Sequence, residues 1–324
     1  MKKITLILPY FGKKFPDMFP LLVYSMSLNT KVDFIIFTNI HDDILEQYKS
    51  ENIFVKYTTL EYIKNLASKK LNFNVVLDEP YKLCDFRPFY GIIFEDYLQD
   101  VNWWGYFDSD IIFGDLNSFI DKFEFEKYDR VFTHGHLTFY RNIESVNKVA
   151  LKDFKCKAIP NYKKVLSNKE AYGFDEWGFG KNKGRGISWI IDKTKILKQY
   201  DNISLFSDIL PHNFFFKTTI GDSINYFIFT NGKLEGMSSS GEKKEYLYAH
   251  FQKRPMCFKN ICLNKKIYVF PNYFSNSFNY DENKKRNEER RWKKFYIRKR
   301  IIHILNNINI SYIKKRISFI RSEK

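Results

Sequence analysis

Trp103-Trp104-Gly105-Tyr106-Phe107-Asp108-Ser109-Asp110-Ile111-Ile112-Phe113-Gly114-Asp115 is the stretch whose reading decides the fold. It opens as an aromatic, apolar run of the kind that fills a buried strand. Two carboxylates follow at i and i+2, with one small residue between them. On a continuing strand both side chains share a face; in a tight turn at the strand's end both reach one ion. Adjacent carboxylates repel unless a cation or a proton relieves them. A hard divalent cation such as Mn²⁺ or Mg²⁺ does so, and keeps open positions for phosphate oxygens. The tripeptide alone is common, since 20 Asp in 324 residues give roughly one such pair by chance. Its flanks carry the reading: a buried strand before, an apolar run after, and Gly114-Asp115 closing the turn. The alternative is a solvated turn that binds nothing.

Composition sets the bounds around this stretch. Aromatics make up 19% of the chain, which argues against disorder, and 324 residues can bury one large core or two small ones. Met1-Lys2-Lys3 leads directly into a strand-like run, so no signal peptide is expected. No apolar run approaches the ~18 residues of a membrane span. The four cysteines, Cys84, Cys156, Cys257 and Cys262, lack the paired spacing of a zinc site, and free thiols suit a reducing, cytoplasmic setting. The net charge of +16 is unevenly spread. Residues 283–324 hold 15 Lys and Arg against 3 Asp and Glu, a local balance of +12, so the other 282 residues carry only +4. The basicity belongs to a tail, and the body is near neutral.

Upstream, Ile4-Thr5-Leu6-Ile7-Leu8 reads as a buried strand stopped by Pro9, and residues 33–37 as a second strand ending at Thr38. Residues 52–57 read as a third. Residues 15–28 and 60–70 read as helices between them, the latter with Leu60, Ile63 and Leu66 on one face. This alternation predicts a mostly parallel sheet with helices on its faces and ligands at the carboxyl ends of its strands. Tyr81-Lys82-Leu83-Cys84-Asp85-Phe86-Arg87-Pro88 then gathers Lys82, Asp85 and Arg87 at the start of a helix running through Tyr97. An ordinary solvated helix start is the alternative.

Lys82-x-x-Asp85-Phe86-Arg87, a helix, then Gly105-Tyr106-Phe107-Asp108-Ser109-Asp110 resembles the nucleotide-sugar half of GT-A-fold glycosyltransferases. It looks closest to small bacterial enzymes of capsule and surface-polysaccharide synthesis. The resemblance spans residues 4–255 and is most specific over residues 81–115. It implies an α/β, Rossmann-like GT-A domain with a mixed sheet over residues 1–280. It also implies a donor pocket for a UDP-sugar in which Pro9, Tyr10, Thr38, Lys82, Asp85 and Arg87 meet the nucleoside, while Asp108 and Asp110 take the ribose and the metal. In this chain Arg87 stands directly before Pro88. The run His134-Gly135-His136-Leu137-Thr138-Phe139-Tyr140-Arg141-Asn142 resembles a segment that follows the metal site in the same group. Its two histidines read as shaping a sugar pocket or as packing, rather than as a zinc site, for want of a third ligand.

Ala171-Tyr172-Gly173-Phe174-Asp175-Glu176-Trp177-Gly178-Phe179-Gly180 sets two carboxylates among aromatics and glycines. Flat rings stack on pyranose faces and a carboxylate accepts a hydroxyl proton, so Asp175 and Glu176 are the candidate catalytic bases; the alternative is a helix-start acidic pair. Residues 187–192 read as a strand leading into a helix over residues 193–199. In Tyr246-Leu247-Tyr248-Ala249-His250-Phe251-Gln252-Lys253-Arg254-Pro255, the resemblance implies that His250 completes the metal shell and Lys253 meets the phosphates. An imidazole ligand suits Mn²⁺ better than Mg²⁺, and the alternative is a core histidine.

From Asp281 the chain turns basic. Ile297, Ile301, Ile304, Leu305, Ile308 and Tyr312 form one stripe of a helix with a basic opposite face, expected either to lie on an anionic membrane surface or to pack on the domain. No nucleic-acid recognition motif accompanies it, so no nucleic-acid partner is expected. Together these readings predict a metal-dependent hexosyltransferase using a nucleotide-sugar donor and a glycan or lipid-linked acceptor, peripheral to the inner face of the cell membrane. The alternatives are a nucleotide-sugar hydrolase or nucleotidyltransferase with the same metal site, or a non-catalytic basic protein that binds membrane or nucleic acid.

Overall fold

The structure, a computed structural model, describes residues 3–179, 183–238, 240–278 and 282–307. Strands β1 (Ile4–Tyr10), β2 (Val32–Thr38), β3 (Ile53–Tyr57) and β4 (Trp103–Phe107) run parallel, with β1 between β2 and β4. After β4 the chain turns at Asp108-Ser109-Asp110 and leaves the sheet as β5 (Ile111–Phe113). Strands β6 (Arg130–Val131), β7 (Leu137–Arg141) and β8 (Gln199–Tyr200) complete the sheet in the order β3-β2-β1-β4-β7-β6-β8. Strand β7 runs antiparallel to β4, so the sheet is mixed. The expected α/β class with a mixed sheet and a helical C-terminal tail is the one the structure has.

Alternation along the strands fills both faces of the sheet. Ile7, Ile35, Phe37, Trp104 and Tyr106 pack into one core cluster, while Leu6, Leu8, Phe34, Ile36, Trp103 and Phe107 pack into another. Gly105 sits where a Cβ would stand 2.2 Å from the Thr138 carbonyl oxygen of β7 and 2.7 Å from Leu6, so only glycine lets these backbones meet. The helix Leu60–Leu71 is capped by the Thr59 hydroxyl and ends at Asn72 in the left-handed region. It buries Ile63, Ala67 and Leu71, with Leu60 and Leu66 partly covered at the margin.

Later strands build the rest: β9 (Phe206–Asp208), β10 (Phe216–Lys217), β11 (Ser223–Thr230), β12 (Lys233–Ser238), β13 (Lys243–Tyr246), β14 (Tyr248–His250), β15 (Ile267–Val269) and β16 (Phe274–Ser275). Strands β5, β14 and β9 form a small sheet in that order, and β13-β12-β11-β15-β16, with β10 on β11, form another.

Two local expectations are corrected. The helix expected from Pro88 through Tyr97 is broken into a 3-10 segment Pro80–Phe89, one turn Tyr90–Ile93 and a second 3-10 segment Glu95–Tyr97. Pro88 lies inside the first and offers no N–H to a helical ladder. Residues 187–192, expected as a strand, lie in the helix Ile187–Thr194, which buries Ile187, Ser188, Ile190 and Ile191 and stops at Lys195 with φ 53°. A short apolar run rich in β-branched residues does not by itself separate the two states.

The helix Glu282–Asn307 follows the body. Trp292 is buried, whereas Ile297, Ile301 and Leu305 of the expected stripe are exposed. Ile308, Tyr312 and the Ile304 side chain lie outside the described residues. No described helix is long and apolar enough to cross a membrane.

Candidate active site

The carboxyl end of β4 delivers Asp108, whose backbone N–H donates to the His136 carbonyl at 2.9 Å. Two residues on, antiparallel pairing of β5 with β14 sets Ile111 opposite His250, and the Phe251 N–H meets the Asp110 carbonyl at 2.9 Å. This register aims one imidazole at both aspartates. His250 Nε2 lies 3.5 Å from Asp108 Oδ2 and 3.5 Å from Asp110 Oδ1. Parallel pairing of β14 with β9 sets Asp208 beside His250, and its Oδ1 accepts from Nδ1 at 2.8 Å. Gln252 Nε2 donates to the same oxygen at 2.7 Å. The Lys253 backbone N–H donates to Asp110 Oδ2.

Electrostatics follow from this crowding. Burial alone would raise the Asp110 carboxyl, but the His250 charge and hydrogen bond, with the Lys253 N–H, hold it at about 2. Burial would lower His250, yet Asp110 and Asp208, with Asp108 beyond, lift it to about 10. Burial would also raise Asp208, and the His250 hydrogen bond brings it down to about 2. The imidazolium thus stands where a cation is called for. Asp108, Asp110 and His250 offer two carboxylate oxygens and one imidazole nitrogen within 4.8 Å of one another. That donor set fits a divalent ion such as Mn²⁺, and the Asp208 carboxylate behind the ring is the usual partner of a metal-ligating histidine.

These groups form one corner of a cavity of about 590 Å³ at the carboxyl end of the sheet. Pro9 and Tyr10 at the end of β1, together with Tyr81 and Cys84, line one side. Lys253 Nζ lies 4.3 Å from the centre of the Tyr81 ring. Arg87 spans the floor, pairing with Asp108, donating to Asp175 Oδ2 at 2.9 Å and to the Gly135 carbonyl at 2.9 Å. Asp175 is 2% exposed; burial, opposed by Arg87, pushes it up to about 7. The half-buried Glu176 is likewise raised, by burial first. His134 faces Asp201 at 3.0 Å, and burial keeps His136 far below its ordinary range. Both histidines line the cavity.

Thus Pro9, Tyr10, Arg87, Asp108, Asp110, Asp175, Glu176, His250 and Lys253 line one cavity. Lys82, Asp85 and Thr38 do not, which corrects their expected place in the donor pocket. Lys82 Nζ donates to Asp85 Oδ2 at 2.7 Å and to the carbonyls of Val165 and Glu170 at 2.8 and 2.7 Å. Asp85 is fully buried and accepts from the Tyr172 and Phe174 N–H groups, both at 2.9 Å. The pair is an internal strut under the loop that carries Asp175 and Glu176. Thr38 is buried, and its hydroxyl accepts from the Ile40 N–H at 3.1 Å. Sequence reasoning missed Asp208 and Gln252. Nothing in their local sequence marks them, because their place comes from strand pairing.

Fold and site define an α/β protein with a mixed sheet and a two-aspartate, one-histidine centre in a cleft at the strand ends. Residues 6–278 match the family of unknown function DUF6625, and the chain belongs to that family. A comparison with curated proteins gives no match. Among solved structures the chain is similar to the galactosyltransferase LgtC in complex with donor and acceptor sugar analogs, at 9% identity over 65% of this chain and 77% of that one, with a TM-score of 0.35. It is also similar to the glycosyltransferase GlyE of Streptococcus pneumoniae TIGR4, at 10% identity, a TM-score of 0.29 and coverage of 51% of this chain. It spans 42% of the GlyE chain. Likenesses this distant transfer no function by themselves.

Proposed function

We propose that this protein is a metal-dependent glycosyltransferase of the GT-A type. It moves a hexose from a UDP-sugar to a hydroxyl of a glycan or lipid-linked oligosaccharide in surface-polysaccharide synthesis. The observation that carries the reading is the convergence of Asp108, Asp110 and His250 at the end of β4, inside a cavity sized for a small-molecule donor.

Asp108, Asp110 and His250 would hold Mn²⁺ or Mg²⁺, and such an ion, when bound, offsets charge on a departing diphosphate. The chain's own groups do the rest. Lys253, lying over Tyr81 at the cavity wall, adds positive charge for the phosphates. Pro9, Tyr10 and Tyr81 offer flat surfaces for the base. Arg87 ties Asp108 to the loop of Asp175 and so couples the metal corner to the sugar end. Asp175 is engaged by Arg87, which leaves Glu176 as the favoured base. Its burial-raised carboxyl suits removal of a proton from an acceptor hydroxyl near neutral pH.

The exposed Phe295, Ile297, Ile301, Ile302 and Leu305, set among Arg298, Lys299 and Arg300, support a further part of the proposal. The C-terminal helix rests on the anionic cytoplasmic face of the membrane, where each nearby Lys or Arg contributes about 1 kcal/mol. Product analysis with UDP-hexoses and Mn²⁺, with and without a glycan acceptor, tests the reaction. Transfer that requires acceptor is expected. Release of free hexose regardless of acceptor would make the protein a nucleotide-sugar hydrolase, and no turnover of any UDP-hexose would contradict the proposal.

A further inference from the structure

The turn after β14 carries much of the site's hydrogen bonding. Phe251 N–H holds the Asp110 carbonyl, the Gln252 amide holds Asp208, and the Lys253 N–H holds the Asp110 carboxylate. Gln252 and Lys253 take consecutive left-handed conformations, with φ of 46° and 56°. Residues with a Cβ disfavour that region, so the turn persists only where its surroundings fix it.

The next residue provides the fixing. Arg254 is 4% exposed, and its guanidinium donates to the backbone carbonyls of Asn213, Phe214 and Pro271. Its guanidinium carbon lies 5.2 Å from the centre of the Phe216 ring and 4.4 Å from that of Trp292. Trp292 belongs to the C-terminal helix, where Arg291, Lys293, Lys294 and Phe295 around it are exposed. Its indole N–H is buried with no partner among the described residues. An unpaired buried N–H is unfavourable, so what seats the indole is its ring face on the arginine and an edge-to-face contact with Phe214, ring centres 6.3 Å apart.

We propose that Trp292 is a positioning residue for the metal and phosphate corner. By covering Arg254 it fixes the strained turn that orients Asp110, Asp208 and Lys253, and the C-terminal helix thereby completes the active site. The inference rests on the transferase reading, which gives that corner its role. Residues 283–324 are then not an appendage whose removal leaves the donor site intact.

Calorimetric titration of Mn²⁺ and of UDP with Mn²⁺ into the full-length protein tests this. Trp292→Ala should weaken Mn²⁺ affinity about tenfold or more, as loss of outer-shell support does. Trp292→Phe keeps a ring face and drops the unpaired N–H, so it should restore wild-type affinity. A purely structural role would lower the unfolding temperature of Trp292→Ala without changing the affinity of the folded protein well below it. A second arm needs no variant. Because coupling is reciprocal, Mn²⁺ with UDP should slow amide hydrogen exchange across residues 288–296 of the wild type. Wild-type affinity in folded Trp292→Ala, or unchanged exchange in that helix on saturation, would overturn the inference. Failure of the wild type to bind Mn²⁺ or UDP would instead count against the transferase reading.

Discussion

Asp108, Asp110 and Asp208 surround one imidazole, and their charges decide how the site meets a cation. His250 is held at about 10, above its ordinary 6.5, so at neutral pH it carries a proton that an incoming metal must displace. Apparent Mn²⁺ affinity should therefore rise about tenfold per pH unit from roughly pH 6 to pH 8, with about one proton released per ion. Calorimetry in buffers of different ionisation enthalpy reads both quantities, and a flat profile would remove His250 from the ligand set. The sign for stability is the opposite. A folded value above the unfolded one stabilises the metal-free protein fully below 6.5, and that contribution is lost as pH rises through about 10. Asp110→Asn keeps an oxygen for the Lys253 N–H but removes the charge. It should weaken Mn²⁺ binding by about a hundredfold and, because the buried His250 charge loses a partner, lower the unfolding temperature while the protein still folds. Retained affinity on direct titration would contradict the assignment.

Among the elements, the 3-10 segment Pro80–Phe89 shows how one short stretch serves two purposes. It directs Lys82 and Asp85 into the core and Arg87 into the cavity. Asp85→Ala leaves the Lys82 ammonium buried without its counter-charge and two backbone N–H groups without their acceptor. It should cost about 3–5 kcal/mol in denaturant unfolding, and a loss under about 1 kcal/mol would argue against the strut. The Lys82-x-x-Asp85 spacing was legible as a charged cluster, but not which way each residue points, because that depends on a 3-10 rather than an α-helical path. Strands β1 to β4 were readable because each is rich in β-branched or aromatic residues, although β1 continues through Pro9 to Tyr10, where the sequence predicts a stop. The helix Ile187–Thr194 was not, since Ile187, Ile190 and Ile191 suit a buried strand as well as a buried helical face. Asp208 was invisible for a different reason: its meeting with His250 is a product of β9–β14 register, which no local pattern encodes.

At the scale of the whole molecule, a near-neutral α/β body carries a basic helix fastened at Trp292, with Ile297, Ile301 and Leu305 exposed beyond it. Replacing those three residues together by Ser, with Trp292 kept, should release the protein from anionic vesicles in sedimentation while leaving UDP binding unchanged. Equal sedimentation, or wild-type protein that stays off the vesicles, would contradict the proposed membrane contact of this helix. The body holds the larger feature: strand ends bring two aspartates and a histidine into one cleft, where on the proposed function a cation would hold a nucleotide diphosphate. Titration of UDP into the full-length protein, first with Mn²⁺ and then with excess chelator, tests that claim most directly. The expected result is saturable binding with Mn²⁺ that disappears with chelator; UDP bound equally well in chelator, or not bound with Mn²⁺, would contradict it.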